Sequence, residues 1–165
     1  FVATVETMGF LFEAYFRLDR DGTLGESYCN ANPNSTGGTG EVSATGSAAV
    51  ADNDVTLAAS GLPPNVFGFF LTSETRGFVA NPGNSEGNVC LGGASGRYVG
   101  PEQILPSGPD GTFSLVLDLT QTPQPTGTVA IGAGESWNFQ AWYRATGAFG
   151  PTLNFTDALE LTFPP

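Results

Sequence analysis

The residues best suited to chemistry lie on one alternating segment near the C-terminus, Trp137–Arg144. Successive side chains of an extended strand point to opposite faces. One face of this segment carries Asn138, Gln140, Trp142 and Arg144. A tryptophan ring can stack on the apolar face of a sugar while amides and a guanidinium bond its hydroxyl groups. A carbohydrate-binding face is therefore one interpretation, but a face packed inside the protein, with its polar groups bonded to backbone, is favoured because both faces of a central strand can be buried.

A second candidate is a carboxylate in an otherwise apolar row. Asp157 interrupts the alternating residues Leu153, Phe155, Leu159, Leu161 and Phe163. A buried carboxylate requires a partner, and Arg144 or Arg97 is the natural one. We therefore expect a buried ion pair or a β-bulge here, and the functional alternative is an acid with a raised pKa.

Two Asp-x-Asp pairs are candidate metal ligands. They are Asp19 with Asp21 and Asp52 with Asp54. Carboxylate oxygens of this kind can bind Ca²⁺, although a simple turn explains each pair equally well. A glycoside hydrolase or lyase using two carboxylates is a further alternative, but among 16 acidic residues the spacing of any pair is uninformative.

The basic residues limit the possible functions. The chain of 165 residues has a net charge of −11 and no histidine or lysine. Its five cations are Arg17, Arg20, Arg76, Arg97 and Arg144. This excludes Schiff-base lysines, histidine bases and histidine-ligated metals, and it argues against nucleic acid as a partner. We expect a protein that is not an enzyme and has no cofactor, with Ca²⁺ as the one possible metal.

The two cysteines, Cys29 and Cys90, are far apart in the sequence. A redox or zinc pair is disfavoured, because neither a CxxC motif nor histidine is present. A structural disulfide is favoured, and it implies export to an oxidising compartment. No apolar run is long enough for a transmembrane segment.

Alternation with period two predicts short strands joined by turns rich in Gly, Pro and Asn. The expected strands are 1–7, 10–18, 40–50, 54–60, 66–73, 76–80, 88–92, 97–99, 112–119, 127–132, 135–145 and 153–163. About ten short strands indicate an all-β, antiparallel, jelly-roll-like β-sandwich with almost no helix. By composition, residues 1–24 form an added hairpin or the tail of a preceding domain, and residues 25–165 form the sandwich.

From about Gly25 onward the order of motifs resembles a C-terminal module that ends many large secreted or surface proteins of planctomycetes and myxobacteria. The motifs are Glu26-Ser27-Tyr28-Cys29, Gly61-Leu62-Pro63-Pro64, Phe67-Gly68-Phe69-Phe70, Asn88-Val89-Cys90-Leu91, Gly96-Arg97-Tyr98-Val99, Trp137-Asn138-Phe139-Gln140 and Asn154-Phe155-Thr156-Asp157. The resemblance implies an exported all-β module with its cysteines paired, attached to varied upstream domains. It implies no particular activity.

Together these features predict a secreted or cell-surface structural or attachment module that is not an enzyme. Its expected partners are other protein domains or copies of itself, joined through edge strands such as 1–7 or 153–163. Polysaccharide is the partner under the carbohydrate-binding alternative.

Overall fold

A computed structural model describes residues 22–147 and 150–165. The strands are β1 (Thr23–Leu24), β2 (Glu26–Tyr28), β3 (Glu41–Gly46), β4 (Val55–Ser60), β5 (Phe67–Ser73), β6 (Thr75–Ala80), β7 (Asn88–Gly92), β8 (Gly96–Arg97), β9 (Leu105–Pro106), β10 (Phe113–Leu117), β11 (Thr122–Pro123), β12 (Thr128–Val129), β13 (Ser136–Gly147) and β14 (Gly150–Thr162). Helical structure in this part of the chain is limited to the 3-10 turns Val50–Asp52 and Pro82–Asn84. Nothing in it is helical, long and apolar enough to cross a membrane.

The strands form two main antiparallel sheets. Sheet A has the order β1-β3-β4-β10, and sheet B has the order β2-β14-β13-β5-β8, with β9 also pairing with β5. The hairpins β6-β7 and β11-β12 form two smaller sheets. The predicted all-β antiparallel sandwich is confirmed. The expected strands 1–7 and 10–18 lie outside the described residues.

The main core lies between the inner faces of sheets A and B. Sheet A contributes alternate residues such as Val55, Leu57 and Ala59, all completely buried. Sheet B contributes Trp137 and Phe139 among others, which belong to the same buried cluster. The faces predicted for β13 are therefore correct, because period-two alternation sends every second residue inward.

The hairpin β6-β7 covers part of the outer face of sheet B. Leu91 of β7 packs there against Leu71 and Phe155, with Phe69 and Trp142 beside them. This second cluster is smaller than the main core and lies on the opposite side of sheet B. Sheet B is thus covered on both sides over part of its area.

The chain changes sheets near its described start. β1 pairs with β3 in sheet A, and β2 pairs with β14 in sheet B. Gly25 lies between them with a φ of 88°, a conformation that glycine adopts without strain. Thr23 and Leu24, which composition grouped with the N-terminal segment, are therefore strand residues of the sandwich.

A disulfide joins Cys29 and Cys90, whose Cα atoms are 6.3 Å apart. Cys29 directly follows β2, and Cys90 lies in β7. The bond ties the edge of sheet B to the hairpin that covers its outer face. The favoured structural disulfide is confirmed.

Candidate functional site

A β-bulge in β14 surrounds Asp157. Gln140 is opposite Ala158, but Trp142 is opposite Phe155, so β14 has one more residue than β13 in this interval. The extra residue reverses which face the side chains occupy. Leu159, Leu161 and Phe163 belong to the main core, whereas Leu153 and Phe155 pack in the outer cluster. The single inward row expected from the sequence is therefore wrong, while the bulge offered as one explanation of Asp157 is present.

Asp157 connects three strands at the side of the sandwich where β3 and β14 approach each other. Its Oδ1 accepts the backbone N–H of Val42 in β3 at 2.7 Å, and its Oδ2 accepts the hydroxyl of Ser27 in β2 at 2.5 Å. Its own backbone N–H donates to the carbonyl of Gly40 at 3.1 Å. The residues of β3 that pair with β1 are Ala44 and Thr45. The Asp157 side chain therefore bonds the N–H of a β3 residue that does not pair with β1.

The expected ion pair of Asp157 with Arg144 or Arg97 is wrong. Within the part of the chain that the structure describes, the ion pair that forms joins Arg76 to Glu160 at 2.9 Å. Asp157 is instead satisfied by a backbone N–H and a hydroxyl. The reason is topological, because Arg97 and Arg144 both lie on the outer face of sheet B, away from the side of the sandwich where Asp157 meets β3.

Asp157 also lines a pocket of about 390 Å³ beside the disulfide. Its lining is Ser27, Cys29, Asn30, Ala31, Thr39, Gly40, Glu41 and Asp157. Burial raises the pKa of the Asp157 carboxyl above its ordinary value, and the neighbouring Glu41 raises it further, against the opposing hydrogen bonds. The pocket therefore combines two carboxylates with hydroxyl and amide groups, and none of the described arginines lines it. We call it the acidic pocket.

The amides of the Trp142 face serve the fold. The Gln140 side chain accepts the N–H of Cys90 at 3.0 Å and donates to the carbonyls of Asn88 and Thr156 at 2.9 and 2.8 Å. The Asn138 amide donates to the carbonyl of Ser73 at 3.3 Å. Both side chains are buried under the β6-β7 hairpin. They cannot reach an external sugar, so this half of the face follows the packed alternative.

The other half of that face remains open. Trp142 is half-buried and stacks on Phe69 with ring centroids 4.7 Å apart. Phe67, two residues earlier on β5, is 53% exposed. Since Phe69 occupies one side of the Trp142 ring, the pair presents an apolar ridge rather than a free indole face. Carbohydrate binding by Trp142 stays a prediction.

The two arginines expected to neutralise Asp157 flank this ridge. Arg144 is opposite Leu153, and Arg97 is opposite Leu71. Directly opposed residues share a face, and both leucine partners pack in the outer cluster. Arg97 and Arg144 are both exposed. We call the surface formed by Phe67, Phe69, Arg97, Trp142 and Arg144 the arginine face.

The Asp-x-Asp candidates gain little support as metal ligands. Asp52 accepts the hydroxyl of Ser47, and Asn53, with a φ of 44°, forms a turn between Asp52 and Asp54. In residues 22–147 and 150–165, no group of three or more acidic or cysteine side chains could hold a metal. The other pair, Asp19 and Asp21, lies outside these residues.

Sequence reasoning missed Ser27 and Glu41 at the acidic pocket and Phe67 on the arginine face. Ser27 and Glu41 carry no local signal, because their meeting with Asp157 depends on how sheets A and B pack. Phe67 lies in an expected strand, but the sequence does not show which parts of that strand are covered. The limited extent of the β6-β7 hairpin leaves Phe67 exposed. Known proteins offer no further guide, since no family model, curated protein or solved structure matches the chain.

Proposed function

We propose that this protein is a structural or attachment module of a secreted or cell-surface protein, and that copies of it associate through β10. The observation that carries the proposal is the open edge of sheet A. Within the described residues β10 pairs only with β4. Alternate backbone N–H and C=O groups of such a strand point away from its partner and are available to another strand.

β10 stands out among the described edges because its own sequence has none of the usual protective features. Its sequence Phe113-Ser-Leu-Val-Leu117 contains no charge and no proline, and its register with β4 is regular over all five residues. Natural edge strands are usually short, charged, bulged or interrupted by proline. A neighbouring β10, antiparallel to the first, would join two copies of sheet A into one continuous sheet.

Most of the remaining edges carry these protective features, and β7 is engaged instead by the Gln140 side chain. β1 and β8 have only two residues each, β2 includes Glu26, and β9 ends in Pro106. β6 contains Arg76 and a register shift. We therefore place the association at β10 rather than at the two segments named from the sequence.

Those two segments have different outcomes. Residues 153–163 lie mostly in β14, which pairs with β13 along one side and is covered by β2 at Ala158–Glu160 on the other. They do not form a free edge, so this prediction is corrected. Residues 1–7 lie outside the described part of the chain.

Support for an extracellular setting comes from the disulfide between Cys29 and Cys90. Such bonds persist in oxidising compartments. The buried Gln140 amide is bonded to backbone groups, which supports a role in the scaffold for this side chain. The resemblance to a C-terminal surface module points in the same direction.

The proposal is tested by the oligomeric state of the purified chain and its Val116→Lys variant. Val116 is 67% exposed on β10. A lysine there disfavours pairing of a second strand. By light scattering coupled to size exclusion, we expect the parent chain to form dimers or larger species and the variant to associate more weakly, because pairing through β10 is lost.

Val99→Lys is the matched control, because it adds the same charge at an exposed valine in a loop. The control should associate like the parent chain. A parent chain that is strictly monomeric and binds no cell-surface component would refute the proposed function. Unchanged association of the Val116→Lys variant would place the contact elsewhere.

A further inference from the structure

The arginine face brings two exposed arginines close to exposed and half-buried aromatic rings. The described residues include three arginines, of which Arg76 is bonded to Glu160 and lies over the Tyr28 ring at 4.3 Å. The other two, Arg97 and Arg144, are both on this face. In a chain with a net charge of −11, placing both on one surface gives that surface a charge opposite to its surroundings.

The distance between Arg97 and Arg144 suits a contact that extends over a broad surface. Gln140 and Arg97 are both opposite Leu71, so Arg144 lies four residues along β13 and two strands away from Arg97. Strand geometry then separates their Cα atoms by about 14 Å along the strands and about 10 Å across them, or about 17 Å in all. The Phe69–Trp142 ridge lies between them. Exposed Arg, Trp and Phe side chains are the types that dominate protein interfaces.

The acidic pocket is the complementary surface. It holds the carboxylates of Glu41 and Asp157, and Arg76, Arg97 and Arg144, the arginines in the described part of the chain, are not among its lining residues. Its volume of about 390 Å³ is sufficient to admit an arginine side chain. The guanidinium fork of arginine matches a carboxylate with two parallel hydrogen bonds. The pocket and the arginine face lie on different parts of the sandwich, so they cannot meet within one copy.

We infer that the arginine face of one copy docks on the acidic pocket of a second copy. This inference rests on the proposed self-association and adds a second contact to it. Two-fold pairing through β10 closes at a dimer, whereas a face-to-pocket contact joins different surfaces and continues from copy to copy. The two contacts together build an extended assembly. The arginine partner that the sequence indicated for Asp157 then comes from a neighbouring molecule.

The test uses the full chain carrying Val116→Lys, so that pairing through β10 is suppressed. The face variant adds Arg97→Gln and Arg144→Gln, and the pocket variant adds Glu41→Gln and Asp157→Asn. Sedimentation velocity should show concentration-dependent association of the Val116→Lys chain. Each variant alone should associate at least about tenfold more weakly, because one side of the contact is missing.

Mixing supplies a specific signature of the contact. The intact arginine face of the pocket variant can dock on the intact pocket of the face variant, so an equal mixture should form 1:1 complexes that do not grow further. Thr45→Glu with Thr126→Glu changes the net charge as much as the face variant does, at exposed sites on other surfaces. This control should associate like the Val116→Lys chain. Glu41→Gln alone provides a mild pocket variant if the double substitution fails to fold.

The outcomes separate the two proposals. A wild-type chain that assembles while the Val116→Lys chain is strictly monomeric supports β10 pairing and overturns the face-to-pocket contact. Association that is unchanged in the face variant overturns it as well. A glycan that binds the arginine face with Arg144-dependent affinity, without any association between copies, identifies the surface as a carbohydrate site and overturns the inference. A wild-type chain that never associates overturns both proposals.

Discussion

Asp157 shows how a single carboxylate can be useful to the fold and still unfavourable in its charged form. It bonds Val42 and Ser27 and so joins β14 to β3 and β2. Burial and the nearby Glu41 nevertheless raise its pKa. The folded state therefore binds more protons than the unfolded state between the ordinary pKa of Asp and its raised value. Across that window stability falls as the pH rises.

We expect Asp157→Asn to stabilise the protein at neutral pH. The amide oxygen can still accept the Val42 N–H, and the amide nitrogen can donate to the Ser27 hydroxyl, without the cost of burying a charge. In urea unfolding from about pH 4 to pH 7, the difference in the free energy of unfolding between variant and parent should grow with pH. Only the parent has the Asp157 carboxyl, whose raised pKa lowers stability across that window. Asp110→Asn, in an exposed turn, is the control. Destabilisation of Asp157→Asn at neutral pH would contradict the prediction.

At the scale of elements, the Gln140 side chain is one of the contacts that hold the β6-β7 hairpin on sheet B. Gln140 bonds the N–H of Cys90 and the carbonyls of Asn88 and Thr156. It therefore bonds the hairpin and the bulged part of β14 together. The disulfide fixes the same hairpin from the side of β2. Gln140, which the sequence offered as a ligand-binding amide, thus positions the β6-β7 hairpin over sheet B.

We expect Gln140→Leu to destabilise the protein strongly. The variant keeps an apolar side chain of similar size but leaves three buried backbone groups without partners, at about 1–3 kcal/mol for each group that water cannot reach. Chemical denaturation should show a loss of about 3 kcal/mol or more. Hydrogen exchange should increase first at Cys90, whose N–H loses its acceptor. Gln121→Leu, at an exposed position, should change stability little.

At the scale of the whole molecule, acidic residues far outnumber basic ones, and two of the three described arginines lie on the arginine face. The chain has 16 acidic residues and 5 arginines, so its copies repel one another at long range. Association must then depend on short-range contacts such as β10 pairing and the face-to-pocket contact. Salt screens both kinds of charge interaction. It weakens the repulsion within one copy, which favours the folded monomer, and it weakens the attraction between opposite charges at the contact between copies.

We expect added salt to stabilise the Val116→Lys monomer while weakening its face-to-pocket association. Raising the ionic strength from about 0.1 M to about 1 M shortens the screening length from about 10 Å to about 3 Å. The thermal midpoint at high dilution should rise, and the association constant from sedimentation should fall. Both should be measured with a neutral osmolyte as the control. An association constant that rises with salt would contradict this prediction, because screening of the repulsion between acidic copies would then outweigh screening of the contact.

The sequence by itself determined the features that depend on local geometry. Period-two alternation indicated an all-β sandwich, and it correctly assigned the two faces of β13, because strand geometry alone sends alternate side chains to opposite sides. The two cysteines, without histidine or a CxxC motif, favoured a disulfide, and Cys29 and Cys90 do form one. These conclusions need no knowledge of distant contacts.

The tertiary structure alone decided what Asp157, Gln140 and the arginines do. The bulge at Asp157 reverses the facing of Leu153 and Phe155, and its polar groups are satisfied by residues far away in the chain, including Val42 and Gln140. Whether an amide is buried depends on which element covers it, and alternation along one strand carries no information about that cover. Local periodicity thus identifies strands and their faces. The packing of the sheets and the hairpin decides which side chains remain exposed and can contact a partner.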